Sequence, residues 1–145
     1  MRTLAARPGF AAAVIGAVIL LHLVAVPLVL RADQDFVYFG SRALPEACAL
    51  RAAYGIPCPT CRMTRGVVLA LHGRLRESAA VNASAPVLVG LGLLLGLFVS
   101  ANGGLQLAGR ASLAARIRTW TLWIGVAGGA AWLLALAANW IAELT

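Results

Sequence analysis

The sequence predicts an all-α integral membrane protein with three transmembrane helices and one amphipathic helix at the membrane surface. Of its 145 residues, 61% are hydrophobic and only 12% are charged, whereas a soluble domain carries about 25% charged residues. Long apolar runs alternate with arginine-containing segments along the whole chain. We therefore expect a single membrane domain over residues 1–145.

Three apolar runs, residues 10–30, 85–101 and 120–142, are the predicted spans. They contain 21, 17 and 23 residues, and a helix needs about 20 residues, with a range of roughly 17 to 25, to cross a bilayer. Ser84 is expected to cap the second helix, and the Asn-Gly-Gly segment at 102–104 is expected to end it. The first run exceeds the roughly 7 to 15 apolar residues of a signal peptide, so it is interpreted as a retained anchor.

The distribution of arginine predicts the orientation. All twelve basic residues are arginine and the net charge is +7. Arg2 and Arg7 precede the first span without an acidic residue, and residues 102–119 contain three more arginines and no acid. In residues 31–84 acidic residues dilute the arginines. The positive-inside rule then places the amino terminus in the cytoplasm and the cysteine segment on the opposite side of the membrane. Phospholipid headgroups, and not nucleic acid, are the expected counter-charge.

Two glycine pairs predict close helix packing. Gly92 and Gly96 lie on one face of the second span, and Gly125 and Gly129 lie on one face of the third. Such small-xxx-small spacing lets another backbone approach closely. The neighbour can be a helix of the same chain, a second copy, or a membrane-protein partner.

The motif segment, residues 44–83, contains all three cysteines, with Cys58 and Cys61 in a Cys-x-x-Cys motif and Cys48 upstream. A helix starting near Thr60 would place Cys61 and Arg65 on one polar stripe opposite an apolar face. That pattern is typical of a helix at the membrane surface. Gly73 is expected to end it early. The helix amino terminus and Arg65 would both favour the thiolate of Cys61 over the thiol.

Three chemistries remain open for these cysteines. Cys58 and Cys61 have the spacing of a zinc half-site, and Cys48 could supply a third sulfur for zinc or another thiophilic metal. His72 shares the stripe of Cys61, but a continuous helix would separate the two by about 16 Å, too far for one ion. A redox dithiol is the second interpretation, and a structural disulfide is the third. The surrounding sequence lacks the βαβ pattern of a thioredoxin domain.

The motif resembles that of a bacterial membrane family called domain of unknown function 2752, whose pattern is Cys-Pro-x-Cys-Gly-x-Thr-Arg followed by a glycine and an Asn-Pro. The resemblance covers about residues 48–95 and includes Cys58-Pro59-Thr60-Cys61, Thr64-Arg65, Gly73 and Asn82. Arg62 replaces the family's glycine, and Ala83 replaces its proline. The resemblance implies a site around the cysteines supported by Thr64, Arg65, Arg62 and Asn82. It implies no reaction.

Two functional hypotheses follow. The first is a thiol site at the membrane surface, which binds a metal or exchanges electrons. The second is a small accessory subunit of a larger membrane assembly, in which the cysteines are structural. The sequence contains no Ser-His-Asp order, phosphate-binding glycine loop or paired catalytic carboxylates, so a binding or structural function is expected rather than an enzyme.

Overall fold

A computed structural model describes residues 9–33, 35–44, 48, 53–56 and 58–144. Over these residues the chain is mainly helical, and the predicted fold class is confirmed. The helices are α1 (Phe10–Val29), α2 (Met63–Leu71), α3 (Leu75–Val81), α4 (Ser84–Leu107) and α5 (Ala111–Leu144). The sequence did not predict a small sheet formed by β1 (Leu30–Ala32), β2 (Val37–Phe39) and β3 (Arg42–Leu44).

Three helices, α1, α4 and α5, are long and apolar enough to cross a membrane. None of the most apolar 18-residue window of α5 is buried inside the protein, and large side chains such as Leu28 and Leu134 are 80% and 71% exposed. So much apolar surface is incompatible with water as the only solvent. The structure therefore agrees with a membrane protein.

Two of the three helices extend beyond the predicted spans. α4 continues through the segment 102–104, so the predicted helix end there is wrong. Its end comes later, at Gly109, which has φ +74° and whose N–H bonds the Gln106 carbonyl at 3.2 Å. Asn102 is buried and its side-chain amide donates to the Ala114 carbonyl at 2.8 Å. The polar residue that looked like a stop is instead bonded across the connection between two helices.

The chain divides into two compact units, and the first comprises Met1–Leu23 and Gly90–Gly129. Within it, the first glycine pair lies against another helix, as its spacing predicted, whereas a Cβ on Gly129 of the second pair would meet nothing within 4 Å. A Cβ on Gly96 would lie 2.9 Å from the Leu20 side chain of α1. A Cβ on Gly92 would lie 3.7 Å from Leu23, also on α1. The face formed by Gly92 and Gly96 is thus occupied by a helix of the same chain. Arg2 and Arg7, which contribute to the predicted orientation, lie outside the described residues.

The second unit comprises Val24–Val89 and Ala130–Thr145 and contains the sheet. Its strands are antiparallel in the order β1-β2-β3, with Tyr38 opposite both Arg31 and Ala43. The Asp33 carboxylate accepts the backbone N–H groups of Asp35 and Phe36 at 2.8 and 2.7 Å, which shapes the first turn. These backbone bonds lower the pKa of Asp33. Asp33 is therefore a turn-forming residue.

Helices α2 and α3 form a tight hairpin beside this sheet. Gly73 has φ +78° and separates the two helices, so the predicted early end is confirmed. Gly66 allows the hairpin to reach α4, because a Cβ there would lie only 2.6 Å from that of Ala85. The Ser78 hydroxyl donates to the Gly66 carbonyl at 2.7 Å in the buried interior. The guanidinium of Arg74 pairs with Glu77 and donates to the Ala32 carbonyl of β1 at 2.9 Å.

Candidate metal centre

The structure brings the three cysteine sulfurs together. The Sγ atoms of Cys48, Cys58 and Cys61 all lie within 4.8 Å of one another. Those of Cys48 and Cys61 are 3.1 Å apart, longer than the about 2.05 Å of a disulfide bond, so the two sulfurs are in contact but not bonded. Cys61 is buried, whereas Cys48 and Cys58 are half-buried.

A tight turn over residues 58–62 positions the two motif cysteines. The backbone N–H of Cys61 donates to the Cys58 carbonyl at 2.9 Å, and that of Met63 donates to Thr60 at 3.1 Å. Helix α2 then begins at Met63, so the prediction of a helix from about Thr60 with Cys61 in its first turn is wrong. The two prolines around Cys58 in the sequence favour a turn there over a helix.

Arg62 closes this turn in a left-handed conformation. Its φ and ψ are +62° and +8°, a region that glycine adopts without cost and other residues rarely enter. Arg62 is the residue that replaces the family's glycine. The left-handed turn is therefore formed in this chain by arginine, although glycine suits it better. Arg62 is exposed.

Hydrogen bonds within the turn involve both motif sulfurs. The backbone N–H of Cys58 donates to Cys61 Sγ at 3.3 Å. Cys58 Sγ and Thr60 Oγ1 share a hydrogen bond at 3.0 Å. Thr60 was not among the predicted site residues, although a hydroxyl between two motif cysteines is a signal that the sequence does contain. The turn thus supplies its own polar contacts to the sulfurs.

Burial keeps Cys61 protonated. It raises the pKa of the Cys61 thiol to about 11, with a further increase from the hydrogen bond that the thiol donates to Cys48. The prediction that a helix terminus and Arg65 favour its thiolate is therefore wrong. Cys61 precedes the helix, and the loss of solvent outweighs the favourable dipoles because a buried thiolate is poorly solvated.

Asn82 connects the turn to the start of α4. Its side chain is fully buried, and its amide NH₂ donates to the Cys61 carbonyl at 3.0 Å and the Pro59 carbonyl at 3.4 Å. Its Oδ1 accepts the Ser84 N–H at 3.0 Å and the Ser84 hydroxyl at 2.6 Å. These partners fix which end of the amide points each way. Asn82 therefore caps α4, whereas Ser84, the predicted cap, is the first helical residue.

The other predicted supporting residues occupy different environments. Thr64 is exposed, but Arg65 is 5% exposed and lies on the buried side of α2. Its charge contributes a minor lowering of the Asp33 pKa. The prediction of a polar stripe that presents Cys61 and Arg65 at the membrane surface is therefore wrong, because both residues are buried.

His72 is not part of the sulfur cluster. It is exposed at the end of α2, and its Nδ1 lies 2.8 Å from the Val68 carbonyl. Among the His, Cys, Asp and Glu side chains of the described residues, those close enough to share an ion are the three cysteines. His72 therefore lies apart from the cysteines, as the helical spacing predicted.

Residues 48–96 match the model of a family described as "Protein of unknown function (DUF2752)". The match starts at Cys48 and extends through the α2–α3 hairpin into α4, so it contains the whole sulfur cluster and Asn82. The resemblance that the motif predicted is confirmed over this part of the chain. Comparisons with curated proteins and with solved structures gave no match.

Proposed function

We propose that the chain binds one thiophilic metal ion, with Zn²⁺ as the type case, through the thiolates of Cys48, Cys58 and Cys61. The observation that supports this is the convergence of three sulfurs within 4.8 Å on a turn braced by buried hydrogen bonds.

The spacing fits such an ion with small adjustments. Sulfurs bound at about 2.3 Å in a tetrahedral zinc site lie about 3.8 Å from one another. The contact between Cys48 and Cys61, at 3.1 Å, would open slightly, and the wider separations would close. Three protein ligands leave a fourth position open, as in zinc sites that bind water or a substrate.

Charge and protonation set the conditions for binding. An ion with three thiolates carries one net negative charge. Since burial raises the pKa of the Cys61 thiol, the metal must displace a tightly held proton. Binding should therefore release protons and strengthen with pH.

The site is proposed to lie at the outer surface of a bacterial plasma membrane. The cysteine segment connects α1 to α4, two of the helices that can span a membrane. The arginine bias favours a cytoplasmic amino terminus, and a single crossing then puts the segment on the other side. Lipid headgroups would contact the exposed arginines of this segment.

The direct test is metal analysis of protein purified in detergent by a tag without histidine. About one equivalent of zinc or another thiophilic metal per chain is expected for the wild type and for Thr64→Ala, a matched exposed control on α2. Cys48→Ser, Cys58→Ser and Cys61→Ser should each lose most of it. Background metal in the wild type, or full retention in the cysteine variants, would refute the proposal.

An accessory subunit is the second candidate, and the Asn82 bonds favour it. They tie the cysteine turn to α4, as expected if the cysteines only brace the membrane helices against a partner. The partner would be another membrane protein or a second copy of this chain. Stoichiometric co-purification of such a partner, together with absence of metal, would favour this function over the first.

A further inference from the structure

The three cysteine thiols have different surroundings, and these surroundings bear on which two sulfurs can form a disulfide. Cys61 is 8% exposed and its S–H donates to the sulfur of Cys48 at 3.1 Å. Cys58 instead shares its sulfur hydrogen bond with Thr60. The sulfur to which the Cys61 thiol donates therefore comes from the upstream segment and not from its own motif.

We propose that a low-molecular-weight disulfide oxidises the metal-free site to a Cys48–Cys61 disulfide, not to one within the Cys58–Cys61 motif. We further propose that this disulfide prevents metal binding. The second statement rests on the proposed function, but the first does not. The site would then respond to the thiol redox state around the membrane surface.

The chemistry balances with the small disulfide as the only oxidant. A half-buried Cys48 thiol, after losing its proton, attacks one sulfur of the small disulfide, and a mixed disulfide forms as one small thiolate leaves. Cys61 then loses its proton and attacks the Cys48 sulfur, which expels the second small thiolate. Two cysteine thiols are oxidised, the small disulfide is reduced to two thiols, and both cysteine protons end on them.

The geometry favours this order of events. Cys48 and Cys61 already have their sulfurs in contact, so closure needs only a short approach. Cys61 is only 8% exposed, so it is too buried to meet a solute first and is disfavoured as the initial nucleophile. It is suited to the second, intramolecular step, because its sulfur already lies 3.1 Å from that of Cys48.

The same disulfide would remove two of the three proposed metal ligands. Conversely, a bound ion would hold Cys48 and Cys61 as thiolates in its coordination shell, where they cannot attack the oxidant freely. Metal and disulfide should therefore exclude each other. This exclusion defines the redox dependence expected of the site.

The arginines of the chain make the pairing measurable. Trypsin cleavage after Arg42, Arg51 and Arg62 gives one peptide, residues 43–51, with Cys48 and a second, residues 52–62, with both motif cysteines. Full-length metal-free protein in detergent is treated with oxidised glutathione, quenched by alkylation, digested and analysed by mass spectrometry. A Cys48–Cys61 disulfide joins the two peptides, whereas a Cys58–Cys61 disulfide stays inside the second.

We expect joined peptides from the wild type and from Cys58→Ser, and at least a tenfold lower yield from Cys61→Ser. An internal disulfide in residues 52–62 with Cys48 alkylated, or no disulfide in the wild type, would overturn the pairing. Joined peptides in Cys61→Ser but not in Cys58→Ser would do so as well.

A parallel arm with zinc-loaded protein tests the exclusion. The joined peptides should decrease at least tenfold relative to the metal-free arm, and the oxidised protein should bind no zinc. Equal oxidation in both arms of a protein that does bind zinc would overturn the exclusion. A protein that binds no zinc yet forms the Cys48–Cys61 disulfide would refute the proposed function while leaving the pairing intact.

Discussion

At the residue scale, Arg62 carries a cost that its position in the turn imposes. A side chain in the left-handed region loses roughly 1–2 kcal/mol relative to the right-handed region, and glycine avoids most of this loss. The turn is nevertheless formed, since α2 begins directly after it and buried contacts on both sides hold it. This backbone strain therefore lies next to Cys61, and a substitution of Arg62 removes it without changing a cysteine.

Arg62→Gly should stabilise the protein by about 1 kcal/mol, seen as a higher midpoint of thermal unfolding in detergent. The matched control is Arg76→Gly, at an exposed position inside α3, which should destabilise by about 1 kcal/mol because glycine weakens a helix interior. Equal losses of stability in both variants would show that the left-handed turn is not formed.

The pKa of Cys61 makes stability depend on pH. Because burial raises this pKa from its ordinary value of about 9 to about 11, the folded protein holds a proton that the unfolded chain has released. Stability should be fully present below about pH 9 and decrease as the pH rises to about 11. Denaturant unfolding of metal-free protein across that range measures the decrease.

Cys61→Ser should flatten this pH dependence because it removes the buried thiol, whereas Cys58→Ser retains that thiol and should keep most of the decrease. Both variants retain Tyr38, whose pKa is raised by its hydrogen bond to Asp33 and whose contribution cancels in the comparison. A decrease of the same size in Cys61→Ser would contradict the burial of this thiol.

At the element scale, the α2–α3 hairpin and the turn before it behave as one braced piece. Asn82 supplies the connection, because one amide serves the cysteine turn with its NH₂ group and α4 with its oxygen. A single polar side chain in a dry position must satisfy both ends. Substitutions at Asn82 can therefore test its bonds to the cysteine turn separately from its bonds to α4.

Asn82→Ala should cost about 1–3 kcal/mol, because the Cys61 carbonyl and the Ser84 N–H lose a buried partner. Asn82→Asp keeps an acceptor for Ser84 but presents no NH₂ to the turn, so it should weaken metal binding more than it shortens α4. Asn139→Ala, which removes an exposed hydrogen bond to Ala83 N–H at 3.1 Å, is the control and should cost clearly less.

Thermal unfolding and zinc affinity of these three variants provide the measurements. If Asn82→Ala and Asn139→Ala were equally mild, the amide would not be holding the turn. If Asn82→Asp left the zinc affinity at the wild-type value, the turn would not need this brace to present its sulfurs.

The sequence predicted the helices of this element better than their surroundings. Gly73 was recognisable as a break because glycine ends helices by a local property. The sheet was missed because strands of three residues are too short to show an alternating pattern. Cys61 and Arg65 are buried, and a helical projection cannot show this because it takes no account of the rest of the fold. Their burial is a tertiary effect.

At the scale of the whole molecule, the length of the apolar runs is the dominant signal for the fold, and the three long apolar helices that it predicts are confirmed. Three helices that can span a membrane follow directly from three apolar runs. Their ends were less predictable: the Asn102 side chain bonds to Ala114, so a residue typical of a helix stop continues a helix. The sequence spacing allowed Cys48 to lie near Cys58 and Cys61, but only the fold shows that the three sulfurs converge.

Orientation is the remaining expectation at this scale. In intact bacterial cells, a membrane-impermeant maleimide should label cysteine segment thiols after metal removal, at the half-buried Cys48 and Cys58. As a control, a cysteine introduced at Ala108, between α4 and α5, into a chain with all native cysteines replaced by serine should react only after lysis. The reverse pattern would place the amino terminus outside and contradict the arginine-based orientation.

The most direct test of the central claim, a three-thiolate metal site, is Co²⁺ substitution of the detergent-purified protein. Thiolate ligands give Co²⁺ intense near-ultraviolet charge-transfer absorption, and tetrahedral geometry gives strong visible bands. A three-thiolate site should saturate at one Co²⁺ per chain, release Co²⁺ to Zn²⁺, and lose charge-transfer intensity in each of Cys48→Ser, Cys58→Ser and Cys61→Ser. Absence of the charge-transfer band, or an unchanged band in Cys48→Ser, would contradict it.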